Sequence, residues 1–218
     1  MLKPYYEQDG ITIYCGDCRE ILPQLDVKVD LVLTDPPYGI NADKTQNDNA
    51  RSGRVSNGGY WKEYEYTAWD KNAPDSKLFE MIFNKSKNQI IWGGNYFFLP
   101  SRCQWLIWNK VQRGVMTDGE MAWTNKQGSL KIFDMARTDA YINTTELKHH
   151  PTQKPTPLIS WCLSLYPEAQ TILDPFLGSG TTAVAAKILG RKCIGIEIEE
   201  KYCEIAVKRL AQSVMRLE

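Results

Sequence analysis

Short apolar segments alternate with amphipathic segments along most of the chain. Continuous apolar runs bounded by turn residues are typical of buried strands, whereas apolar positions at helical spacing indicate helices that cover a sheet. Strands are predicted at residues 11–14, 29–34, 89–92, 104–108, 120–124, 130–133, 171–173 and 192–196. Helices are predicted at residues 18–25, 76–84, 157–165, 181–189 and 201–215. This alternation predicts an α/β fold with a mostly parallel, doubly wound sheet.

The length of 218 residues fits one α/β domain with a sizeable core. No internal repeat or linker divides the chain, so we expect a single domain over residues 1–218. Residues 39–74 are rich in Asn, Asp, Gly, Ser, Lys and Arg and also hold a cluster of aromatic side chains. A loop of this length predicts either a mobile functional lid or a disordered surface loop.

The charge balance gives no sign of a polyanion partner. Lys plus Arg number 26 and Asp plus Glu number 26, so the formal net charge is zero. A nucleic-acid-binding protein of this composition must concentrate its cations on one face.

No stretch is long and apolar enough to span a membrane, and residues 1–5 lack the apolar core of a signal peptide. We therefore expect a cytoplasmic protein.

The six cysteines do not form a metal-binding pattern. Cys15 and Cys18 have the C-x-x-C spacing, but a zinc site needs a second pair or histidines at ligand spacing. The two histidines, His149 and His150, are adjacent to each other and far from these cysteines in sequence. We expect reduced thiols and no metal site.

The first candidate site is Asp-Pro-Pro-Tyr at residues 35–38, directly after the predicted strand 29–34. In open α/β sheets, ligands bind at the carboxyl ends of the strands. The two prolines fix the backbone and remove two N–H donors, so nearby carbonyl groups are left to accept hydrogen bonds. Asp35 adds another acceptor and Tyr38 adds a flat face. This set suits a planar group that carries an NH2, such as adenine or cytosine.

The second candidate site is the βαβ unit of residues 171–197. Gly178 and Gly180 allow a tight turn that approaches a ligand, and a side chain at Gly180 is expected to occupy the ligand's space. Glu197, at the end of the next strand, suits ribose hydroxyls. The dinucleotide pattern G-x-G-x-x-G is not matched, and Asp174 would repel a pyrophosphate. S-adenosylmethionine, which has a ribose and a sulfonium but no phosphate, fits better.

Three motifs occur in a specific order: Thr-Asp-Pro-Pro-Tyr-Gly at 34–39, His-Pro-Thr-Gln-Lys-Pro at 150–155, and Asp-Pro-Phe-Leu-Gly-Ser-Gly-Thr-Thr at 174–182. With this order the chain resembles the permuted beta group of DNA amino-methyltransferases over nearly its whole length. The resemblance implies a Rossmann-like, S-adenosylmethionine-dependent methyltransferase fold. It also implies DNA as the substrate and a target base that is flipped out of the duplex.

The resemblance also implies roles for individual residues. Asp17 would accept from the adenine amino group of the cofactor, Asp174 would lie near its methionine amino group, and Thr152 and Lys154 would reach its carboxylate. The implied catalytic residues are Asp35, Pro36, Pro37 and Tyr38. The implied cofactor-binding residues are Asp17, Asp35, Thr152, Lys154, Asp174, Phe176, Gly178, Ser179, Gly180, Thr181 and Glu197.

The expected mechanism follows from the weak nucleophilicity of a base amine, whose lone pair is delocalised into the ring. Hydrogen bonds from the amine to Asp35 and to the carbonyl of Pro36 would favour a tetrahedral nitrogen with a free lone pair. Flipping the base costs a few kcal/mol. Stacking on Tyr38 would return about 1–3 kcal/mol.

Several alternatives remain open at this stage. An Asp at residue 35 favours adenine N6 over cytosine N4 by the family resemblance. A non-catalytic nucleic-acid-binding module with the same fold is a second alternative, and an RNA or protein substrate is a third. Residues 109–149, with their scattered Lys and Arg, predict either a short target-recognition region or ordinary surface hairpins. Because related proteins often dimerise, we also expect a homodimer.

Overall fold

The computed structural model describes residues 2–41, 55–56, 59–60, 70–102, 104–111, 117–136, 139 and 152–214. Its strands are β1 Tyr6–Gln8, β2 Ile11–Cys15, β3 Val29–Thr34, β4 Val55–Ser56, β5 Gly59–Tyr60, β6 Ser86–Trp92, β7 Trp105–Asn109, β8 Gly119–Thr124, β9 Lys131–Asp134, β10 Thr171–Asp174 and β11 Lys192–Glu197. Its helices are α1 Cys18–Ile21, α2 Ser76–Phe83, α3 Thr156–Ser164, α4 Thr181–Ile188 and α5 Glu200–Val214.

Nine strands form one sheet in the order β1-β2-β11-β10-β3-β6-β8-β7-β9. The five strands from β2 to β6 in that order are parallel, and β1, β8 and β7 add antiparallel pairs at the two sides. The predicted mostly parallel sheet is confirmed. Its central pair joins β10, from late in the chain, to β3, from early in the chain, with Ile172 opposite Leu31.

Helices cover both faces of this sheet, as a doubly wound fold requires. Alternate residues of β3 face opposite sides, because side chains along a strand alternate between its two faces. Leu31 and Leu33 belong to the core cluster that includes residues of α3, α4 and α5. Val32 belongs to the cluster that includes residues of α1 and α2. Because helices pack on both faces of the sheet, the ends of its strands have fixed positions.

The differences from prediction are small and have local causes. β1 was not predicted because its Tyr-Glu-Gln sequence has no apolar run, and it lies at the sheet edge with two of its three residues exposed. β6 begins at Ser86, three residues before the predicted start at residue 89, because pairing with β3 extends it through polar residues.

The two segments with special predictions are only partly described. Of residues 39–74, the structure describes 39–41, 55–56, 59–60 and 70–74, with β4 and β5 forming a short antiparallel pair. Of residues 109–149, it describes 109–111, 117–136 and 139, where β8 and β9 continue the main sheet. The rest of the lid and target-recognition segments lies outside the described residues, so both assignments stay predictions.

Candidate active site

The two sequence motifs meet at the carboxyl edge of the central parallel strands. Thr34, the last residue of β3, donates a hydrogen bond of 2.7 Å from its hydroxyl to Oδ1 of Asp174, the last residue of β10. Both side chains are buried. Asp35 follows the first strand and the glycine turn follows the second, so this contact places the two candidate sites side by side.

A cavity of about 480 Å³ opens at this edge. This volume lies in the range of small-molecule sites. The predicted site residues that line it are Asp17, Asp35, Pro37, Thr152, Lys154, Asp174, Phe176, Gly178, Ser179, Thr181 and Glu197. The remaining three, Pro36, Tyr38 and Gly180, do not line the cavity. The fold thus brings together residues that lie far apart in sequence.

Glu197 shapes the glycine turn. Its Oε2 accepts from the backbone N–H of Gly178 at 2.7 Å, and its Oε1 accepts from the N–H of Glu199 at 2.8 Å. Gly178 has a φ of +55°, and no atom lies within 4 Å of the position that a Cβ would take. Gly178 therefore leaves space for a ligand beside the turn.

Gly180 packs closely against a neighbouring helix. Its φ is +86°, and a Cβ there would lie 2.6 Å from the Cβ of Ala206 in α5. A side chain at this position would therefore strike a neighbouring helix, not a ligand. The expectation that it would fill the ligand's space was wrong, because Gly180 faces the packing between α4 and α5.

Two buried carboxyl groups give the cavity its electrostatic character. Burial raises the pKa of Asp174 to about 6, against hydrogen bonds from Thr182, Thr34 and the N–H of Phe176. Burial raises the pKa of Glu197 to about 7, against the backbone hydrogen bonds from Glu199 and Gly178. Ionised carboxylates at these positions would be stabilised by a cationic ligand.

Trp92 is part of the wall of the same cavity. Its side chain lines the cavity and is fully buried, and its indole Nε1 has no hydrogen-bond partner among the described residues. The open glycine turn and the two buried carboxyl groups fit a ligand with a ribose and a cationic centre. S-adenosylmethionine has both.

Asp35 is held by hydrogen bonds at both oxygens. Tyr38 donates from its hydroxyl to Oδ1 at 2.6 Å, and Lys154 donates from Nζ to Oδ2 at 2.5 Å. Burial raises the pKa of Asp35 above its ordinary value, although the charge of Lys154 acts in the opposite direction. The ring of Tyr38 stacks on Tyr96 with centroids 4.8 Å apart and planes 12° apart.

Two residues predicted to hold the cofactor have protein partners in this structure. Lys154 was predicted to reach a methionine carboxylate, and its ammonium lies between Asp35 and Glu120. Asp17 was predicted to accept from an adenine amine. It accepts from the N–H of Arg19 at 2.8 Å and forms an ion pair with the Arg19 guanidinium, at the N-terminus of α1. Both assignments stay predictions.

Sequence reasoning missed four residues that support the site. Asp70 is buried and accepts from the backbone N–H groups of Tyr38, Gly39 and Ile40, which fixes the loop after the motif. Arg209 in α5 donates to the carbonyl of Ser179 at 2.6 Å. Glu120 and Lys110 form an ion pair beside Lys154. The contacts of Asp70 and Arg209 join segments 30 or more positions apart, and Lys110, directly after β7, pairs with Glu120 of the neighbouring strand β8. No local pattern signals these contacts.

Other site classes find no support in the described part of the chain. The cysteines at 15, 18, 162, 193 and 203 are free thiols. No group of three or more potential metal ligands occurs among the described residues. Within the same ranges, no helix has both the length and the apolar character needed to cross a membrane.

Comparison with known proteins identifies similar sequences and folds. Residues 60–208 match the N6/N4 family model described as DNA methylase. The type II methyltransferase M.ScaI of Streptomyces caespitosus is 27% identical, over 99% of this chain and 86% of its own length. The type II methyltransferase M2.MboI of Moraxella bovis is also 27% identical, over 95% of this chain and 91% of its own length.

Two solved structures share the fold. The M1.HpyAVI–SAM complex has 24% identity and a TM-score of 0.54, covering 92% of this chain and 99% of the other. The PvuII DNA methyltransferase, described as cytosine-N4-specific, has 17% identity and a TM-score of 0.59, covering 95% of this chain and 88% of the other. The predicted Rossmann-like fold is thereby confirmed.

Proposed function

Because the chain belongs to the N6/N4 DNA methylase family, we propose that it methylates adenine at N6 in DNA. Members of this family are S-adenosylmethionine-dependent DNA methyltransferases. The choice of adenine rests on Asp35, because an Asp at the head of this motif is associated with adenine in the family that the chain resembles. The observation that carries the proposal is the 2.7 Å hydrogen bond between Thr34 and Asp174, which joins the base motif (residues 35–38) to the cofactor turn (residues 174–180).

The residues of the base motif supply the contacts that an amine needs to become a nucleophile. A carboxylate oxygen of Asp35 and the carbonyl of Pro36 accept hydrogen bonds from the two amine protons. These bonds favour a tetrahedral nitrogen with a lone pair available for attack. Tyr38 provides a flat face for the flipped base, and its hydroxyl holds Asp35 in place at 2.6 Å. Much of the catalysis is therefore positioning.

The residues of the cofactor turn hold S-adenosylmethionine, which supplies an electrophilic methyl group on a sulfonium. Glu197 and the turn 178–180 bind the ribose end, and Asp174 lies near the amino-acid end. Asp17, Phe176, Ser179 and Thr181 complete the binding surface. Thr152 faces the carboxylate, whereas the ammonium of Lys154 is held between Asp35 and Glu120. The nitrogen becomes acidic only after methyl transfer, so its proton can pass to water and no strong base is needed.

The biological setting of this activity is also a proposal. The relatives M.ScaI and M2.MboI are named type II methyltransferases. We propose by analogy a site-specific enzyme of a restriction-modification system. It would act in the cytoplasm, where both DNA and S-adenosylmethionine are present. A homodimer would supply more surface for gripping DNA than one chain, and sedimentation equilibrium would give its mass.

One experiment distinguishes the candidate activities. Plasmid DNA is incubated with the protein and S-adenosylmethionine labelled on its methyl group, then digested to nucleosides and separated. Label in N6-methyl-2′-deoxyadenosine supports the proposal, and label in N4-methyl-2′-deoxycytidine supports the cytosine alternative. DNA without label, from protein that binds S-adenosylmethionine by calorimetry, would contradict the proposal and indicate a non-catalytic binding module.

A further inference from the structure

Four charged side chains form a chain of ion pairs beside the cavity. Lys110 contacts Oε1 of Glu120 at 2.6 Å, and Lys154 contacts Oε2 of the same residue at 3.0 Å. Lys154 also contacts Oδ2 of Asp35 at 2.5 Å. The two lysine residues are 5% and 6% exposed. Positive and negative side chains alternate in this row of ion pairs, so the formal charge of the four side chains together is zero.

The four members come from four separate segments. Lys110 follows β7, Glu120 lies in β8, Lys154 precedes α3 and Asp35 follows β3. The ammonium of Lys154 also lies 5.6 Å from the ring of Trp92 and 5.7 Å from the ring of Tyr38. It also donates a hydrogen bond of 3.3 Å to the hydroxyl of Tyr38, and Glu120 is its second carboxylate partner beside Asp35.

Neutrality of the Lys154–Asp35 pair does not require Glu120 and Lys110. Those two residues form a neutral pair by themselves, and replacement of a buried ion pair by apolar residues of similar size is often neutral or stabilising. The geometry gives them another purpose. Glu120 restricts the position of the ammonium that contacts Asp35, and Lys110 fixes the other oxygen of Glu120.

We propose that Glu120 is a positioning residue for methyl transfer, holding the ammonium of Lys154 against Asp35. This inference rests on the proposed function of Asp35 as the acceptor of hydrogen bonds from the target amine. Lys110 supports Glu120 from the far side. The contact keeps one oxygen of Asp35 occupied and leaves the carboxylate in a fixed orientation for the base.

The charged groups around Asp35 change its pKa in different directions. The charged and titratable groups that face it are Lys154, Glu120, Tyr38 and Asp174, with Lys110 one step further away. Lys154 lowers the pKa of Asp35 and Glu120 raises it. Glu120→Gln removes this negative charge and leaves Asp35 as the carboxylate that holds Lys154, so the pKa of Asp35 should fall. Removing Lys110 should raise it, because the negative charge of Glu120 is then less compensated.

The test measures kcat against pH for the full chain, with plasmid DNA and saturating S-adenosylmethionine. Glu120→Gln should lower the plateau kcat by roughly ten- to a hundredfold, because misplacement of a contact has effects of this size. It should also move the acid limb to lower pH, while KM for S-adenosylmethionine stays within about threefold of wild type. Lys110→Met should move the acid limb to higher pH. Glu120→Asp should recover part of the lost kcat.

The matched control is Glu80→Gln on the exposed surface of α2, which should leave kcat and the acid limb unchanged. A wild-type kcat and acid limb in Glu120→Gln would overturn the proposal. A loss of kcat without any movement of the acid limb would also overturn it, because that result indicates a purely structural role. Should Glu120→Gln fail to fold, the direction of the shift in Lys110→Met decides.

A second readout separates this inference from the proposed function. The carboxyl carbon of Asp35, labelled with 13C, reports its titration by NMR without any methyl transfer. If wild-type protein fails to methylate DNA, the proposed function fails, and the opposite pKa shifts in Glu120→Gln and Lys110→Met still test the ion-pair chain. Equal pKa values for Asp35 in all three proteins would overturn the inference.

Discussion

Thr34 donates a 2.7 Å hydrogen bond to Asp174, although 140 positions separate the two residues in the chain. The contact exists because β3 and β10 are parallel neighbours whose carboxyl ends reach the same edge of the sheet. The order of the motifs along the chain is therefore irrelevant to the site. What the site requires is that both strands end at one cavity.

Asp35→Ala separates catalysis from cofactor binding. The substitution removes the carboxylate that accepts from Tyr38 and Lys154. Methyl transfer to DNA should fall below detection, whereas the Kd for S-adenosylmethionine by calorimetry should stay within about tenfold, because other residues line the cofactor turn. Asp26→Ala, at an exposed position, is the matched control. Wild-type turnover in Asp35→Ala would remove the function assigned to Asp35.

Substitutions of the two glycines should have different effects. Gly180→Ala places a Cβ against Ala206 at a positive φ, so it should lower the free energy of unfolding by about 2 kcal/mol or more. That corresponds to a fall in Tm of roughly 4–8 °C for a protein of this size. Gly178→Ala has open space around its Cβ, so it should destabilise less.

The effects of the two glycine substitutions on ligand binding should have the opposite order. The Cβ of Gly178→Ala points into open space beside the turn, where we expect the ribose to bind. The Kd for S-adenosylmethionine should therefore rise more in Gly178→Ala than in folded Gly180→Ala. Thermal melts and calorimetry on both variants check the two orders, and equal Tm values would refute the packing account of Gly180.

Cofactor affinity should increase with pH between about 5 and 8. Asp174 and Glu197 have pKa values raised to about 6 and about 7, so both become ionised across this window. A cationic ligand favours the ionised carboxylates, so it binds more tightly as they lose their protons. Glu197→Gln should flatten the upper part of this dependence. A Kd for S-adenosylmethionine that is independent of pH in the wild-type protein would contradict this prediction.

The stability of the free protein should change in the other direction. Because the folded-state pKa values exceed those of unfolded carboxyl groups, the folded state binds more protons between pH 4 and pH 7. The stabilisation from the protonated groups is present below about pH 4 and is lost as the pH rises through 6 and 7. Glu197→Gln and Asp174→Asn each remove one of these titrating carboxyl groups, so the free energy of unfolding should fall less as the pH rises. Urea denaturation at several pH values measures this free energy.

Two substitutions of Tyr38 separate stacking from hydrogen bonding. Tyr38→Ala removes the face for the base, worth about 1–3 kcal/mol, so KM for DNA should rise by roughly 5- to 150-fold. Tyr38→Phe keeps the face and removes the hydroxyl that donates to Asp35, so kcat should fall while KM for DNA changes little. An unchanged KM in Tyr38→Ala would indicate that the base stacks elsewhere.

The parts of the fold that sequence predicts are those with strong local patterns. The apolar run 29–34 and the unit 171–197 have short strands, turn glycines and a helix in an order that permits few alternatives. The family resemblance identifies the residues of both motifs. Most of these residues line one cavity, because the parallel strands that precede the motifs end at the same edge of the sheet.

The missed features are those that depend on distant contacts. Glu120 was assigned only to a strand, and nothing near it in sequence indicates that Lys110 and Lys154 share its carboxylate. The turn at Gly180 was predicted, but its packing against Ala206 depends on a helix that follows later in the chain. Such pairings are set by tertiary structure and leave no periodic signal.

A crystal structure of the protein with S-adenosylmethionine would show whether the two motifs share one ligand site. We expect density for the cofactor along the turn 174–180, with the sulfonium methyl directed towards the carboxylate of Asp35. Density outside the cavity between β3 and β10, or a methyl group directed away from Asp35, would contradict it.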